Sequence, residues 1–207
     1  MRISTTTIES FRLLKFEDWQ TEEKFIAQVK GETPPSKNME LGTAFHDIIQ
    51  NPHERLQDGV FVAKNGVVFP MDVIMKCFEH INYDYPFEIK LTKKYDVLGE
   101  SITVVSQVDQ LIADHVMELK SCWSAFDYDK YSNSMQWRFY LDIFESSMVR
   151  YNVFEMYDGA NGIVLKGIHP FYFNYNDSIP GTINDILEEF VAYIHSKNLE
   201  PYFPEKN

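Results

Sequence analysis

The chain has 207 residues, 44% of them hydrophobic and 15% aromatic, with a formal net charge of -12. This length suits one domain with modest additions and a sizeable core, and the composition excludes a long disordered tail. Two isolated cysteines, Cys77 and Cys122, exclude a disulfide framework, a four-cysteine zinc site and an iron-sulfur cluster of the usual kind. No apolar run approaches the roughly 18 residues a membrane span needs, so no membrane partner is expected. The opening MRISTTTIES lacks the apolar stretch and cleavage site of a secretory signal, which points to the cytoplasm. The acidity counts against a basic nucleic-acid binder, but the cations are uneven: 15 basic and 21 acidic residues precede position 141, and 4 and 10 follow.

In chain order, Thr6 with Glu9 matches a capping box ahead of Ile8, Phe11 and Leu14, predicting a helix from about residue 7. TPPSKN at 33–38 breaks regular structure, and Ser36 or Asn38 caps a second helix with Leu41, Phe45, Ile48 and Ile49 as its buried stripe. A third helix is predicted at about 70–82. From 87 the pattern turns to strands: FEIKLTKKYDV, SITVVSQVDQLI and HVMELKSCW. SNSMQWRFYLDIFESS returns to helical spacing, with Ser132 or Ser134 as cap. VRYNVFEMY and IVLKGIHPFYFNY, separated by DGANG, read as a hairpin, and Pro180 and Thr182 introduce a last helix to about 197. No repeat or flexible linker divides the chain. The expected class is α/β (α+β), a mixed sheet flanked by helices, in a single domain over 1–207: N-terminal helices in 1–85, sheet and helix in 86–150, hairpin and helix in 151–207.

The chemistry concentrates in one hairpin. If Ala113 and Asp114 form its turn, Ile112 faces His115 and Asp109 falls opposite Glu118. Two carboxylates about 5 Å apart repel by on the order of 3 kcal/mol at an effective dielectric near 20. A divalent cation between them offsets that, and Mg²⁺ is held by one or two carboxylates with waters and phosphate oxygens. Lys120 leaves the same strand face as Glu118, setting an ammonium beside the ion, and the Leu119 carbonyl is a further oxygen ligand. A one-step slip of the turn gives another reading, an ordinary surface hairpin in which Asp109 pairs with Lys120. D-x(8)-E-x-K alone does not separate the two.

ELGTAFHDIIQ, VDQLI with VMELKS, and MQWRFYLDIF together resemble the ordered signature of the RecB-like branch of the PD-(D/E)XK nucleases: GxxxH, D, ExK, QxxxY. The signature falls on Gly42 and His46, Asp109, Glu118 and Lys120, and Gln136 and Tyr140. The resemblance implies a restriction-endonuclease-like core and a DNA nuclease dependent on Mg²⁺ (or Mn²⁺). It implies catalytic Asp109, Glu118 and Lys120, His46 as a metal ligand, and Gln136 and Tyr140 positioning the substrate. Gly before the catalytic Asp is common among such relatives, whereas this chain has Ser106 and Gln107. The missing cysteines set aside relatives with an iron-sulfur cluster, and no P-loop is present. What remains is similar to a stand-alone nuclease of the lambda-type phage exonuclease branch. That resemblance implies DNA as partner, phage or bacterial recombination or repair, a bacterial or phage-infected host cell, a single-strand annealing recombinase as a second partner, and a homo-oligomer. An endonuclease of the same fold and a catalytically silent binding module are the alternatives.

Other residues carry two readings each. Glu88 is a further carboxylate for the metal or an exposed glutamate. Lys90, Lys93 and Lys94 track a DNA backbone or protect a strand edge. Trp123, Trp137 and FYFNY stack on bases or pack the core. His53, His80, His115, His169 and His195 share no metal spacing.

Overall fold

In the computed structural model, which describes residues 1–205, the chain opens with a strand, β1 (Arg2–Ser4), that buries Ile3 and runs directly into helix α1 (Thr5–Phe16). The hydroxyl of Ser4, not of Thr6, caps α1, accepting from the Thr7 N–H at 3.1 Å. Glu9, the expected capping-box partner, accepts instead from the Arg12 guanidinium and from the Met135 N–H. The strand fixes where the helix starts, and three residues are too few for hydrophobic alternation to announce it.

Helix α2 (Glu22–Val29) was not expected; it is capped by Thr21 and buries Phe25. Helix α3 (Lys37–Gln50) follows the sequence reading, with Ser36 as cap and Leu41, Phe45, Ile48 and Ile49 buried. Short helix α4 (Pro52–Arg55) leads into a small antiparallel sheet of β2 (Leu56–Gln57), β3 (Val60–Val62) and β4 (Val68–Pro70). Helix α5 (Met71–Phe78) comes next. Residues 1–85 thus hold four strands besides helices, a correction with the same cause as β1, since each spans two or three residues.

The long strands are β5 (Phe87–Val97), β6 (Glu100–Ile112) and β7 (His115–Cys122). Helices α6 (Tyr128–Ser132) and α7 (Gln136–Ile143) carry the chain across to β8 (Met148–Gly159), which pairs parallel with β7. A tight turn gives β9 (Gly162–Asn174), antiparallel to β8, and α8 (Ile179–Ser196) follows. The main sheet has six strands in the order β1-β6-β7-β8-β9, with β5 on the other edge of β6. It is a mixed sheet flanked by helices, as expected.

On β7 the side chains alternate between two apolar clusters. Val116 and Cys122 join Ile8 and Phe11 of α1, Phe139 of α7 and Phe190 of α8. Met117 and Leu119 face Phe45 and Ile48 of α3, Phe69 and Ile74. Fully burying each such side chain stabilises by about 1.5–3 kcal/mol, so β7 is clamped from both sides. The strand that carries Glu118 and Lys120 is therefore among the least mobile parts of the fold.

Both cysteines lie in these clusters, Cys77 at 0% and Cys122 at 5% exposure. Burial pushes the Cys77 thiol up to about 12, while the nearby Lys76 charge opposes the shift weakly. At pH 8 an aromatic disulfide reagent is expected to release no colour from native protein and two equivalents after unfolding. Rapid native labelling at Cys77 would show α5 to be loosely packed. Among the described residues no helix is long and apolar enough to cross a membrane.

Candidate active site

β1 and β7 lie along the same edge of β6. β1 pairs with Thr103–Val105 and β7 with Gln110–Ile112, and β5 occupies the opposite edge. Residues 106–109 therefore have no strand beside them on that edge. Asp109 stands where β6 and β7 part.

The turn is the expected one, with Ile112 paired to His115 and Leu111 to Val116. Ala113 takes a left-handed φ of +55° to close it. Gln110 with Met117 is the last paired step, and one further step sets Asp109 opposite Glu118. There the Asp109 side chain replaces the ladder: Oδ2 accepts the Leu119 N–H at 2.7 Å. Oδ1 lies 3.3 Å from His46 Nδ1 on α3.

Glu118 is only 4% exposed. Its Oε1 lies 2.6 Å from Lys120 Nζ and accepts the Tyr140 hydroxyl at 3.1 Å. Its Oε2 is buried with no hydrogen-bond partner. A buried carboxylate oxygen left this way costs roughly 1–3 kcal/mol, and a bound water or ion would satisfy it. The surface hairpin pairing Asp109 with Lys120 is not what forms: Lys120 pairs with Glu118, and Asp109 with His46 and the backbone.

Electrostatics separate the two acids. Burial raises both carboxyl groups, but the His46 and Lys120 charges and the Leu119 N–H outweigh it at Asp109, which is held below the ordinary aspartate value. At Glu118 burial, reinforced by Asp109, prevails over Lys120 and holds the carboxyl above the ordinary glutamate value. Lys120 is burdened by burial, yet the Glu118 and Asp109 charges keep its ammonium above the usual lysine value. His46 is likewise raised, Asp109 outweighing its burial.

These groups surround a cavity of about 410 Å³ that also takes in Gln136 and Tyr140 from α7 and Thr5 and Thr6 at the start of α1. The start of a helix carries partial positive charge, an attractive neighbour for a phosphate oxygen. At Lys120 and Gln136 the cavity meets a second one of about 640 Å³. At His46, Gln50 and Glu88 it meets a third of about 520 Å³. The three together make a trough past the carboxylates.

The remaining sequence candidates divide. Glu88 borders the cavity; it stands between the pairs Phe87 with Gln110 and Ile89 with Val108, facing Asp109 across the sheet with a left-handed φ of +61°. Such a conformation costs a bulky residue about 1–3 kcal/mol and collects at functional sites. Gln50 donates to its carboxylate at 3.3 Å. Lys90 lines the cavity. Lys93 does not: its ammonium lies 2.9 Å from Asp142 and is tied to α7. Lys94 is exposed and borders none of the three cavities. Trp137 stacks on Phe173 at 4.5 Å in the core, and Trp123 packs against Phe69.

Among the described residues no three His, Cys, Asp or Glu side chains are grouped so as to hold a metal ion. His46 is turned onto Asp109, and Lys120 supplies the positive charge at Glu118. What fits a hard cation is a two-carboxylate seat, Asp109 with the unpartnered Glu118 Oε2, completed by backbone and water oxygens as Mg²⁺ prefers.

Gly42, the first position of the GxxxH signature, faces Ser121 of β7, but a side chain there is not forbidden. A Cβ built there meets only Ser121 Oγ, at an ordinary 3.5 Å. Gly42→Ala is expected to stabilise α3 by about 0.5–1 kcal/mol, read as a higher midpoint in urea. A loss of stability would reveal an approach closer than the one seen.

The chain has the fold of a solved exonuclease. An alkaline exonuclease (LHK-Exo) from Laribacter hongkongensis superposes with a TM-score of 0.51 over 96% of this chain and 90% of its own, at 10% identity. A structure of LHK-Exo in complex with dAMP gives the same TM-score, over 96% of this chain and 89% of that one. The protein SSO0001 superposes with a TM-score of 0.55 over 93% of this chain and 76% of its own, at 15% identity. No family model matches the chain, and no curated protein matches it.

Proposed function

We propose that this protein is a DNA nuclease dependent on Mg²⁺ or Mn²⁺, a member of the RecB-like branch of the PD-(D/E)XK nucleases, with Asp109, Glu118 and Lys120 as its catalytic residues. The observation that carries the reading is the unpartnered Oε2 of Glu118, a carboxylate that lines one cavity together with Asp109 and the Lys120 ammonium, in a fold shared with an exonuclease. Asp109 and Glu118, with the Leu119 carbonyl, are the residues to hold the cation, and His46, which pairs with Asp109 in the metal-free protein, would join them only by leaving that carboxylate. Bound there, it supplies Lewis-acid screening of the phosphate and acidifies a water.

The protein's own groups do the rest. Asp109, kept ionised by His46 and the Leu119 N–H, is the fixed negative anchor. Lys120, ionised and buried, orients the attacking water and offsets charge building on the phosphoryl oxygens. Tyr140 holds Glu118 in place, and Gln136, at the junction of two cavities, contacts the backbone of the bound strand. Glu88 is a further carboxylate at the rim.

Cleavage proceeds from DNA ends. The support is the likeness to a named exonuclease, solved also in complex with dAMP. Linear duplex DNA with Mg²⁺ or Mn²⁺ is expected to be degraded to mononucleotides while closed circular DNA survives. Nicking or linearisation of the circle would instead mark an endonuclease of this fold, and no loss of either would mark a binding module. The motif resemblance extends the proposal to one nuclease domain acting in phage or bacterial recombination or repair.

A further inference from the structure

Beyond Lys120 the trough opens into the cavity of about 640 Å³, whose rim carries Trp19. Hydrolysis at the carboxylates makes no use of this residue. Its side chain is 56% exposed, yet the loop beneath it is tied down. Gln20 is buried and donates to Ser10 Oγ at 3.1 Å and to Gln28 Oε1 at 3.0 Å. Lys24 donates to the Trp19 carbonyl at 2.6 Å, and the indole N–H reaches Glu17 at 3.2 Å. An aromatic face held this way loses little conformational freedom on binding, so stacking on it is favourable.

The charge of the cavity says what stacks there. Arg12 is neutralised by Glu9 at 2.8 Å and Lys120 by Glu118 at 2.6 Å, leaving Glu17, Asp127 and Asp129 against Lys130. Walls of that sign repel a phosphate, whereas carboxylates accept hydrogen bonds from the exocyclic amines of bases. The volume lies within the roughly 300–1,000 Å³ of small-molecule sites, room for one base with its sugar.

We infer that this cavity is a nucleobase subsite in which an unpaired base next to the scissile phosphate stacks on Trp19. The inference rests on the nuclease reading of the Lys120 site and adds to it the feature of the substrate that is read beside the reaction: a base face exposed by a single strand or a melted end. Trp19 is a positioning residue here.

The test is a cycle between protein and substrate. KM for single-stranded oligonucleotides is measured with wild type, Trp19→Ala and Trp19→Phe, using strands with normal bases and strands with one abasic site moved position by position. Stacking worth about 1–3 kcal/mol per base corresponds to a rise in KM of about 5- to 150-fold for Trp19→Ala, with Trp19→Phe near wild type. An abasic site at one position is expected to cause the same rise in wild type and no further rise in Trp19→Ala. Equal KM for wild type and Trp19→Ala, or abasic and Trp19→Ala effects that simply multiply at every position, would overturn the subsite while leaving the nuclease reading intact. Failure of wild type to hydrolyse any strand would instead remove the nuclease reading on which the subsite depends.

Discussion

Asp109→Ala protein is expected to lose DNA cleavage by about 10³-fold or more, the equivalent of about 4 kcal/mol of transition-state stabilisation at tenfold per 1.36 kcal/mol. Lys120→Met should lose about 10²- to 10³-fold, the usual result of removing one preorganised positive donor. The structure adds a consequence for folding. Lys120 is the ammonium at 2.6 Å from a carboxylate that is 4% exposed, so its removal strands a buried charge, a change that costs about 3–5 kcal/mol. Glu118 already binds its proton more tightly than an ordinary glutamate because of burial and Asp109. A raised carboxyl favours the folded state when protonated. The penalty in Lys120→Met is therefore absent below the ordinary glutamate range and appears as pH rises through the folded value. Thermal unfolding of metal-free Lys120→Met at acid and alkaline pH checks this: more stable in acid, relative to wild type, is expected. A pH-independent difference would mean that Glu118 is not the group left unpaired.

Metal addition is the second large effect. Ligand at 100 times its dissociation constant stabilises a folded protein by about 2.7 kcal/mol, which for a chain of this size is about 5–10 °C in midpoint. Mg²⁺ or Mn²⁺ is expected to raise the midpoint of wild type by that amount. The rise should grow with pH, because protonated Glu118 must give up its proton to bind the ion. Glu118→Gln keeps the shape, removes the charge, and should abolish the rise. A midpoint that responds equally in Glu118→Gln would put the ion elsewhere.

Much of the site was legible because β-structure writes register into sequence. The stretch from Phe87 to Cys122 alternates strongly, its turn is two residues, and counting outward from Ile112 and His115 was enough to set Asp109 opposite Glu118. The second helix announced itself through Ser36 and the Leu41, Phe45, Ile48 stripe. What stayed hidden were features with no local pattern. β1 is three residues and is stabilised by a strand 101 positions away, yet it creates the gap in which Asp109 sits. The pairing of Lys93 with Asp142 depends on α7 packing against β5, which alternation along β5 does not encode. Trp19 carries no local signal in the sequence, and it is the fold that sets it around the same cavity as Lys120. The overall charge of -12 was similarly uninformative, since what matters is which acids line the trough and which lysines meet them.

The most direct measurement is anomalous scattering from crystals grown with Mn²⁺. One peak bonded to oxygens of both Asp109 and Glu118, with the Lys120 ammonium displaced from Glu118 Oε1, is the expected result. Crystals in Mn²⁺ that show Lys120 still seated on Glu118, His46 still on Asp109 and no peak between the carboxylates would contradict it.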